Sequence, residues 1–327
     1  MITERHFNAA VFLIFIAIPI WAAFADEPFI ITLMTRAAIF ALAAVGLNIA
    51  LGLGGLVSFG HAAFFGLGGY VMGILAFHAQ TYTPVMEFPF LIEGTKSMPI
   101  IWLVAIFVSS GLAWAIGSLS LRTTGVYFIM ITLAFAQMMY FFSISWSAYG
   151  GEDGLSIYVR NGFPGLNTLV PFQFFAIAFS ILAVALLFSA KLAKSPFGLA
   201  LNAARQSPER VETVGLNTQR VRLVAFVISG AITGLAGALF ADINRFVSPT
   251  MFSWQFSGVI IVVIIIGGVG RLFGPVVGAL VFVALEHFLG GLSDFWHIYL
   301  GLLLLAIVLF AKGGLIGLLC GREKAHD

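Results

Sequence analysis

About ten apolar stretches, separated by short polar or glycine-rich connections, follow one another along this 327-residue chain, at roughly 7–24, 30–53, 60–79, 99–119, 125–145, 172–190, 223–241, 255–267, 273–290 and 297–311. A helix rises 1.5 Å per residue, so about 20 apolar residues cross a hydrocarbon core roughly 30 Å thick. The pattern predicts an all-α, polytopic membrane helix bundle of about ten transmembrane helices. With 61% hydrophobic and 9% charged residues and a mean hydropathy of +1.06, the chain stands far from soluble domains, in which about 25% of residues are charged. Residues 1–327 read as a single transmembrane domain without a soluble module.

Charge orients the bundle. Placing the N-terminus and the 191–222 connection inside puts twelve of the sixteen Lys and Arg on the cytoplasmic side, among them Arg5, Arg122, Arg271, Lys312, Arg322 and Lys324. Lys96, Arg160 and Arg245 fall in outside loops, and Arg36 at an outer helix end is expected to snorkel outward. The expected protein is multi-pass in a membrane, with both termini cytoplasmic. The small net charge of +2 is spread over connections, which argues against a nucleic-acid partner. Arg5, the first apolar run and Ala23-Phe24-Ala25 also imitate a cleaved secretory signal, although retention as the first helix is the preferred reading. A single cysteine, Cys320, leaves no internal disulfide and makes a cysteine metal site implausible; no metal or cofactor is expected.

The segment Ser195–Arg222 interrupts the apolar pattern with charge and helix punctuation. Ser195-Pro196 and Ser207-Pro208 each set a capping hydroxyl before a proline suited to a first helical turn, and Gly215 can end a helix in the left-handed conformation. Two short helices on the inner membrane face are expected, a surface that a soluble partner can grip. On the other side, the connections 80–98 and 146–171 are turn-rich and ordered enough to present a surface. Glycine-rich breaks stand at Gly52–Gly60 and Gly267–Gly274, and Phe59-Gly60 and Phe273-Gly274 hint at an internal repeat. Small residues recur at helical spacing: Gly66, Gly69 and Gly73; Gly230 and Gly234; Gly270, Gly274 and Gly278. Such stripes let membrane helices approach closely.

Ionisable groups inside a membrane are costly and mark candidate sites. His61 follows Ser58-Phe59-Gly60 at a helix start, where free N–H groups can meet an anion such as a solute carboxylate. Packing or capping competes with that role. The candidate pathway and hinge set is Gly54, Gly55, Ser58, Gly60, His61, Gly267, Gly268 and Gly270. Glu286-His287 pairs with water or a facing helix, and Asn48, Thr132 and Gln137 read as interhelical hydrogen-bond partners. No H-E-x-x-H, G-x-S-x-G or P-loop occurs, so catalytic residues are not expected, and the energy must come from a partner or from the solute gradient.

Three segments resemble the LivM-type permeases of bacterial branched-chain amino acid ABC importers, of the hydrophobic amino acid uptake family: GLNIALGLGGLVSFGHAAFFGLGGY at 46–70, LRTTGVYFIMITLAFAQMM at 121–139, and SPFGLALNAARQSPERVETVGLNTQRVRLVAFVISGAITGLAGALFA at 195–241; GGVGRLFGPVVGA at 267–279 extends the match. The resemblance implies the ABC importer permease fold and a non-enzymatic translocation subunit. It also implies that 191–222 is a coupling region carried on a partner ATPase, with Pro196, Gly198, Ala203, Arg205, Glu209, Glu212 and Gly215 as coupling residues. The sequence departs from the pattern at Ser207–Val211. Implied partners are a second homologous permease, two cytoplasmic ATP-binding subunits, a periplasmic solute-binding protein and membrane lipid. The implied solute is a branched-chain or related hydrophobic amino acid, with urea or amides as relatives' alternatives. Competing classes are a gradient-driven secondary transporter or channel and an intramembrane enzyme built on His61 or Glu286-His287.

Overall fold

The computed structural model describes residues 4–86, 92–292, 296–310 and 313–320. Along the chain run α1 (Glu4–Phe24), α2 (Pro28–Asn48), α3 (His61–Thr81), α4 (Met98–Ser120), α5 (Val126–Ser145), α6 (Pro171–Lys194), α7 (Pro196–Gln206), α8 (Pro208–Thr213), α9 (Thr218–Asn244), α10 (Trp254–Gly267), α11 (Gly274–Leu292), α12 (Trp296–Phe310) and α13 (Gly314–Cys320). The fold is all-α. Among the described residues eight helices are long and apolar enough to cross a membrane. The expected spans at 255–267 and 297–311 fall on α10 and α12, of 14 and 15 residues. At 1.5 Å per residue they reach about 21–22 Å, short of a full crossing.

For α10 the reason is visible. The Phe256 ring in its first turn lies 4.4 Å from that of Phe65 and 5.9 Å from that of Phe40, both in the middle of the bundle. The chain arriving from α9 descends to that level along a glycine-lined face of α3. Val247, Met251 and Phe252, all buried, pack where a Cβ would stand at Gly73, Gly69 and Gly66 in turn. The small-residue stripe on α3 therefore receives chiefly a re-entrant loop, with Ala241 of α9 also meeting it at Gly69.

At the centre, α9 packs against α2, α3 and α4. It runs parallel to α3, with Gly230 beside Phe64, Gly237 beside Phe65 and Gly69 beside Ala241. It runs antiparallel to α4, whose Ala113 and Ser109 face Gly230 and Gly234. Where α3 and α9 touch, backbone meets backbone: a Cβ at Gly68 would overlap the Gly234 carbonyl, and one at Gly237 the Phe65 carbonyl. Lipid offers no hydrophobic gain for helix association, so such close packing supplies the attraction. Gly270 does not share a helix with Gly274 and Gly278 as its spacing suggested; it lies before α11 with φ +79°.

The connections sort to two ends. At one end lie the 54–60 and 268–273 breaks, the α4–α5 turn and α7–α8. At the other, residues Leu155–Ser156 pair antiparallel with Phe246–Val247, and Met98 N–H donates to Gly162 O at 3.0 Å, stitching the 146–171 connection into an ordered surface.

Two local expectations need correction. Ser195 caps α7 by accepting the Gly198 N–H at 3.2 Å, but the Ser207 hydroxyl makes no such bond, its backbone at φ −152° leaving Pro208 alone to start α8. Arg36 does not snorkel freely. Its Nη2 reaches both carboxylate oxygens of Glu286 on α11, at 3.1 and 3.2 Å, because an arginine beside apolar helices is better neutralised than exposed. A lone arginine at a membrane helix centre costs about 2.5–3.5 kcal/mol, so nearer the helix end Glu286→Gln should destabilise by about 1–2 kcal/mol. The swapped pair Arg36→Glu with Glu286→Arg should recover most of that in thermal unfolding of the detergent-solubilised protein. Equal losses in the single and swapped variants would contradict the pairing.

Candidate functional site

The site grows from the end of α2. Past Asn48 the helix loosens into a π-helical stretch, Ile49–Leu53, and Gly55, at φ +68°, terminates it. A positive φ costs a residue with a Cβ roughly 1–2 kcal/mol, which glycine avoids. Residues 57–60 are non-helical, and Ser58 and Gly60 are buried in the bundle, the condition under which irregular backbone survives at membrane depth. The donors and acceptors freed by the break are met by side chains. Ser257 Oγ, on α10, donates to Phe59 O at 2.6 Å and accepts the Ala62 N–H at 2.9 Å, while Ser58 Oγ accepts the Gly60 N–H at 3.1 Å.

His61 opens α3 and is wholly enclosed. Its Nε2 lies 2.7 Å from Ser229 Oγ, and that hydroxyl gives its one proton to Gly46 O at 2.6 Å. Nε2 is therefore the donor. The rings of Phe64 and Phe226 meet the imidazole edge to face at 5.4 and 5.6 Å. Gly46 precedes the π-helical stretch, so α3 starts deeper in the bundle than the end of α2. Ser58 and His61 thus brace the break from inside, and the N–H of Ala62 at the α3 start is already taken.

A second break packs on the first. Gly268 and Gly270 have φ of +121° and +79°. Asn48 spans the two breaks: its Oδ1 accepts the Gly270 N–H and its Nδ2 donates to Arg271 O, each at 3.0 Å. Gly267 approaches Gly274 so closely that a Cβ would overlap the Gly274 carbonyl.

The α7–α8 segment closes over this end. Gly198, Leu201 and Ala204 form the buried face of α7, and Val211 that of α8. Gly198 has no room for a side chain beside the last carbonyls of α6. The seven residues singled out from the sequence separate by direction. Gly198, Arg205 and Glu212 hold the segment to the bundle: Arg205 Nη1 donates to Gly52 O, and Thr218 Oγ1 donates to Glu212. Pro196 occupies the first turn of α7, and Gly215 ends α8 at φ +88°. Ala203 and Glu209 face outward, with Leu199 and Val214 63% and 80% exposed beside them. A cavity of about 390 Å³ lies between segment and break, lined by Gly54–Val57, Thr123, Thr124, Phe128, Arg205, Pro208 and Arg222 among others.

Sequence reasoning missed Ser229 and Ser257, whose only signal is a hydroxyl inside an apolar run. It also missed a cluster at the other end. Asp242, in the last turn of α9, is 2% exposed and accepts from Asn161 Nδ2 at 3.3 Å. Arg160 donates to Thr168 O at 2.8 Å and to Ile243 O at 3.3 Å, with its guanidinium 4.5 Å from the centre of the Phe174 ring. Burial pushes the Arg160 guanidinium below its ordinary range, and the Asp242 carboxylate opposes the shift. Gln137 keeps a buried amide nitrogen on α5, and Thr132 Oγ1 donates to Ile129 O on its own helix at 3.0 Å instead of to a neighbour.

A family model described as branched-chain amino acid transport system / permease component matches residues 29–311. The high-affinity branched-chain amino acid transport system permease protein LivM of Escherichia coli (strain K12) is 24% identical over 310 residues, covering 88% of this chain and 69% of the relative. The probable branched-chain amino acid transport permease protein LivH of Methanocaldococcus jannaschii is 32% identical over 91 residues, 27% of each chain. The autoinducer 2 import system permease protein LsrC of Salmonella typhimurium is 29% identical over 143 residues, 41% of each. No solved structure matches.

Proposed function

The chain belongs to the branched-chain amino acid transport system permease family, and from that premise we propose that it is the translocating subunit of an ATP-driven importer of branched-chain or related hydrophobic amino acids. In this reading residues 1–327 form one permease domain, 191–222 is its cytoplasmic coupling segment, and both termini are cytoplasmic. A second permease, two ATP-binding subunits and a periplasmic binding protein complete the complex, and ATP is hydrolysed in the ATP-binding subunits. The observation that carries the reading is the seating of α7–α8 directly on the α2–α3 break across the 390 Å³ cavity.

The mechanism follows from what each surface offers. Outside, the 80–98 connection, of which 87–91 lie outside the described residues, and the stitched 146–171 connection offer a binding protein a surface at which to release solute. Inside, Ala203, Glu209, Leu199 and Val214 present an outward face that has no partner in the isolated chain, suited to a groove on an ATPase. Closure of the ATPases displaces α7–α8. The displacement acts on backbone already interrupted at Gly54–Gly60 and Gly267–Gly270, where few helix hydrogen bonds need break. Two permeases rocking in this way alternate access around a cavity at their interface.

Orientation and docking are testable together. In a Cys320→Ser background, single cysteines in 146–171 should react with an impermeant thiol reagent added to intact cells, whereas cysteines at Ala203 or Glu209 should not. In inside-out vesicles the latter two should react, and bound ATPase subunits should slow that reaction at least tenfold. Labelling of Ala203 or Glu209 from outside would overturn the orientation, and unslowed labelling in the presence of the ATPases would overturn the docking face.

A further inference from the structure

We infer that Arg205 is the positioning residue that joins the coupling segment to both broken membrane helices, so that α7, the end of α2 and the turn before α11 move as one body. The inference rests on the coupling role proposed above and specifies how displacement of α7–α8 enters the membrane.

Family resemblance casts Arg205 as a residue of the ATPase-facing segment, and in the structure its side chain, though partly exposed, lies back on the end of α2. Its stem lies over Gly55, where an added Cβ would stand 2.9 Å from Arg205 Cγ and 3.3 Å from Cδ. Its Nη1 donates to Gly52 O, one of the carbonyls that a helix end leaves without an intrahelical partner. A guanidinium there also meets the negative end of the α2 dipole. A charge-assisted bond of this kind is roughly twice as strong as a neutral one.

From Gly52 the connection continues without slack. The Gly52 backbone abuts that of Gly270 so closely that a Cβ on Gly52 would lie 2.8 Å from Gly270 Cα. Asn48, one turn back on α2, clamps Gly270 through its N–H and the next residue, Arg271, through its carbonyl. Arg205 is thus the single flexible side chain in a path that otherwise runs through backbone contact and one two-point amide bridge. At the other side of α7, Arg222 Nη2 on α9 donates to Ala204 O at 2.8 Å, fixing the end of the helix that carries Arg205. Packed backbone transmits displacement because it has little room to deform.

The test separates the donor from the stem. Arg205→Met keeps the apolar stem over Gly55 and removes the donor; Arg205→Lys restores one charged donor. Two readouts are needed, hydrogen exchange of residues 49–60 in the purified permease alone, and solute moved per ATP hydrolysed by the reconstituted complex. With methionine, exchange at 49–56 should rise at least tenfold and the transport ratio should fall at least fivefold. Lysine should recover at least half of each on a logarithmic scale. Unchanged exchange in Arg205→Met would overturn the link, as would transport and hydrolysis falling together at a constant ratio. If the wild-type complex shows no ATP-driven uptake, the importer reading fails, and the exchange measurement still decides whether Arg205 holds the break.

Discussion

Gly237→Ala should destabilise the permease severely, by about 3 kcal/mol, whereas Gly258→Ala should cost almost nothing. Both are glycines in apolar helices, and composition does not distinguish them. The Cβ added at Gly237 would overlap the Phe65 carbonyl of α3, whereas the one added at Gly258 on α10 meets nothing within 4 Å. Overpacking a close interface typically costs about 1–3 kcal/mol and occasionally more. A backbone carbonyl cannot rotate away as a side chain can, which sets Gly237 at the upper end. The parallel α3–α9 interface must then separate or shear, and it carries His61 and the α2–α3 break. Thermal unfolding and assembled yield of the two variants measure the difference. Similar losses in both would mean that helix flexibility, not contact, makes glycine necessary.

The second large effect is expected at Ser257. Its hydroxyl serves a donor and an acceptor at once, the Ala62 N–H and the Phe59 carbonyl, across the α2–α3 break. Ser257→Ala leaves both without this partner in a buried place. Each buried group so orphaned costs about 1–3 kcal/mol, so the variant should lose about 2–5 kcal/mol of stability. Ser257→Thr, which keeps the hydroxyl, should lose much less. Hydrogen exchange would localise the damage: protection of Ala62 and its neighbours at the α3 start should drop sharply, with α11 unaffected. Full protection of residues 59–63 in Ser257→Ala would show that the break is held by something else.

The contrast between these residues explains what could be read from the chain in advance. Membrane helices announce themselves through runs of apolar residues, which is why each expected span lands on a helix, and Pro196, Pro208 and Gly215 punctuate α7 and α8 through local backbone rules. The breaks at Gly52–Gly60 and Gly267–Gly274 were legible as glycine clusters for the same reason. Their meeting was not. Asn48 reaches Gly270 across 222 positions and Ser257 reaches Ala62 across 195, and a serine inside an apolar run looks the same whether it bonds its own preceding turn or a distant backbone. The depth of α3's start was hidden similarly, since glycine spacing on α3 marks close packing without saying that a re-entrant loop fills the space. Arg36 read as a snorkelling charge because its partner, Glu286, lies 250 positions along the chain.

The reading that ATP drives a hydrophobic amino acid through this chain is tested most directly by uptake into sealed vesicles. The permease, its partner permease and the ATPases would be reconstituted with ATP trapped in the lumen, and the binding protein and radiolabelled leucine, isoleucine or valine added outside. The account predicts accumulation of at least one of these above its outside concentration, dependent on hydrolysable internal ATP and on the binding protein. Uptake at the same rate with a non-hydrolysable analogue, or driven by an ion gradient without the ATPases, would contradict it.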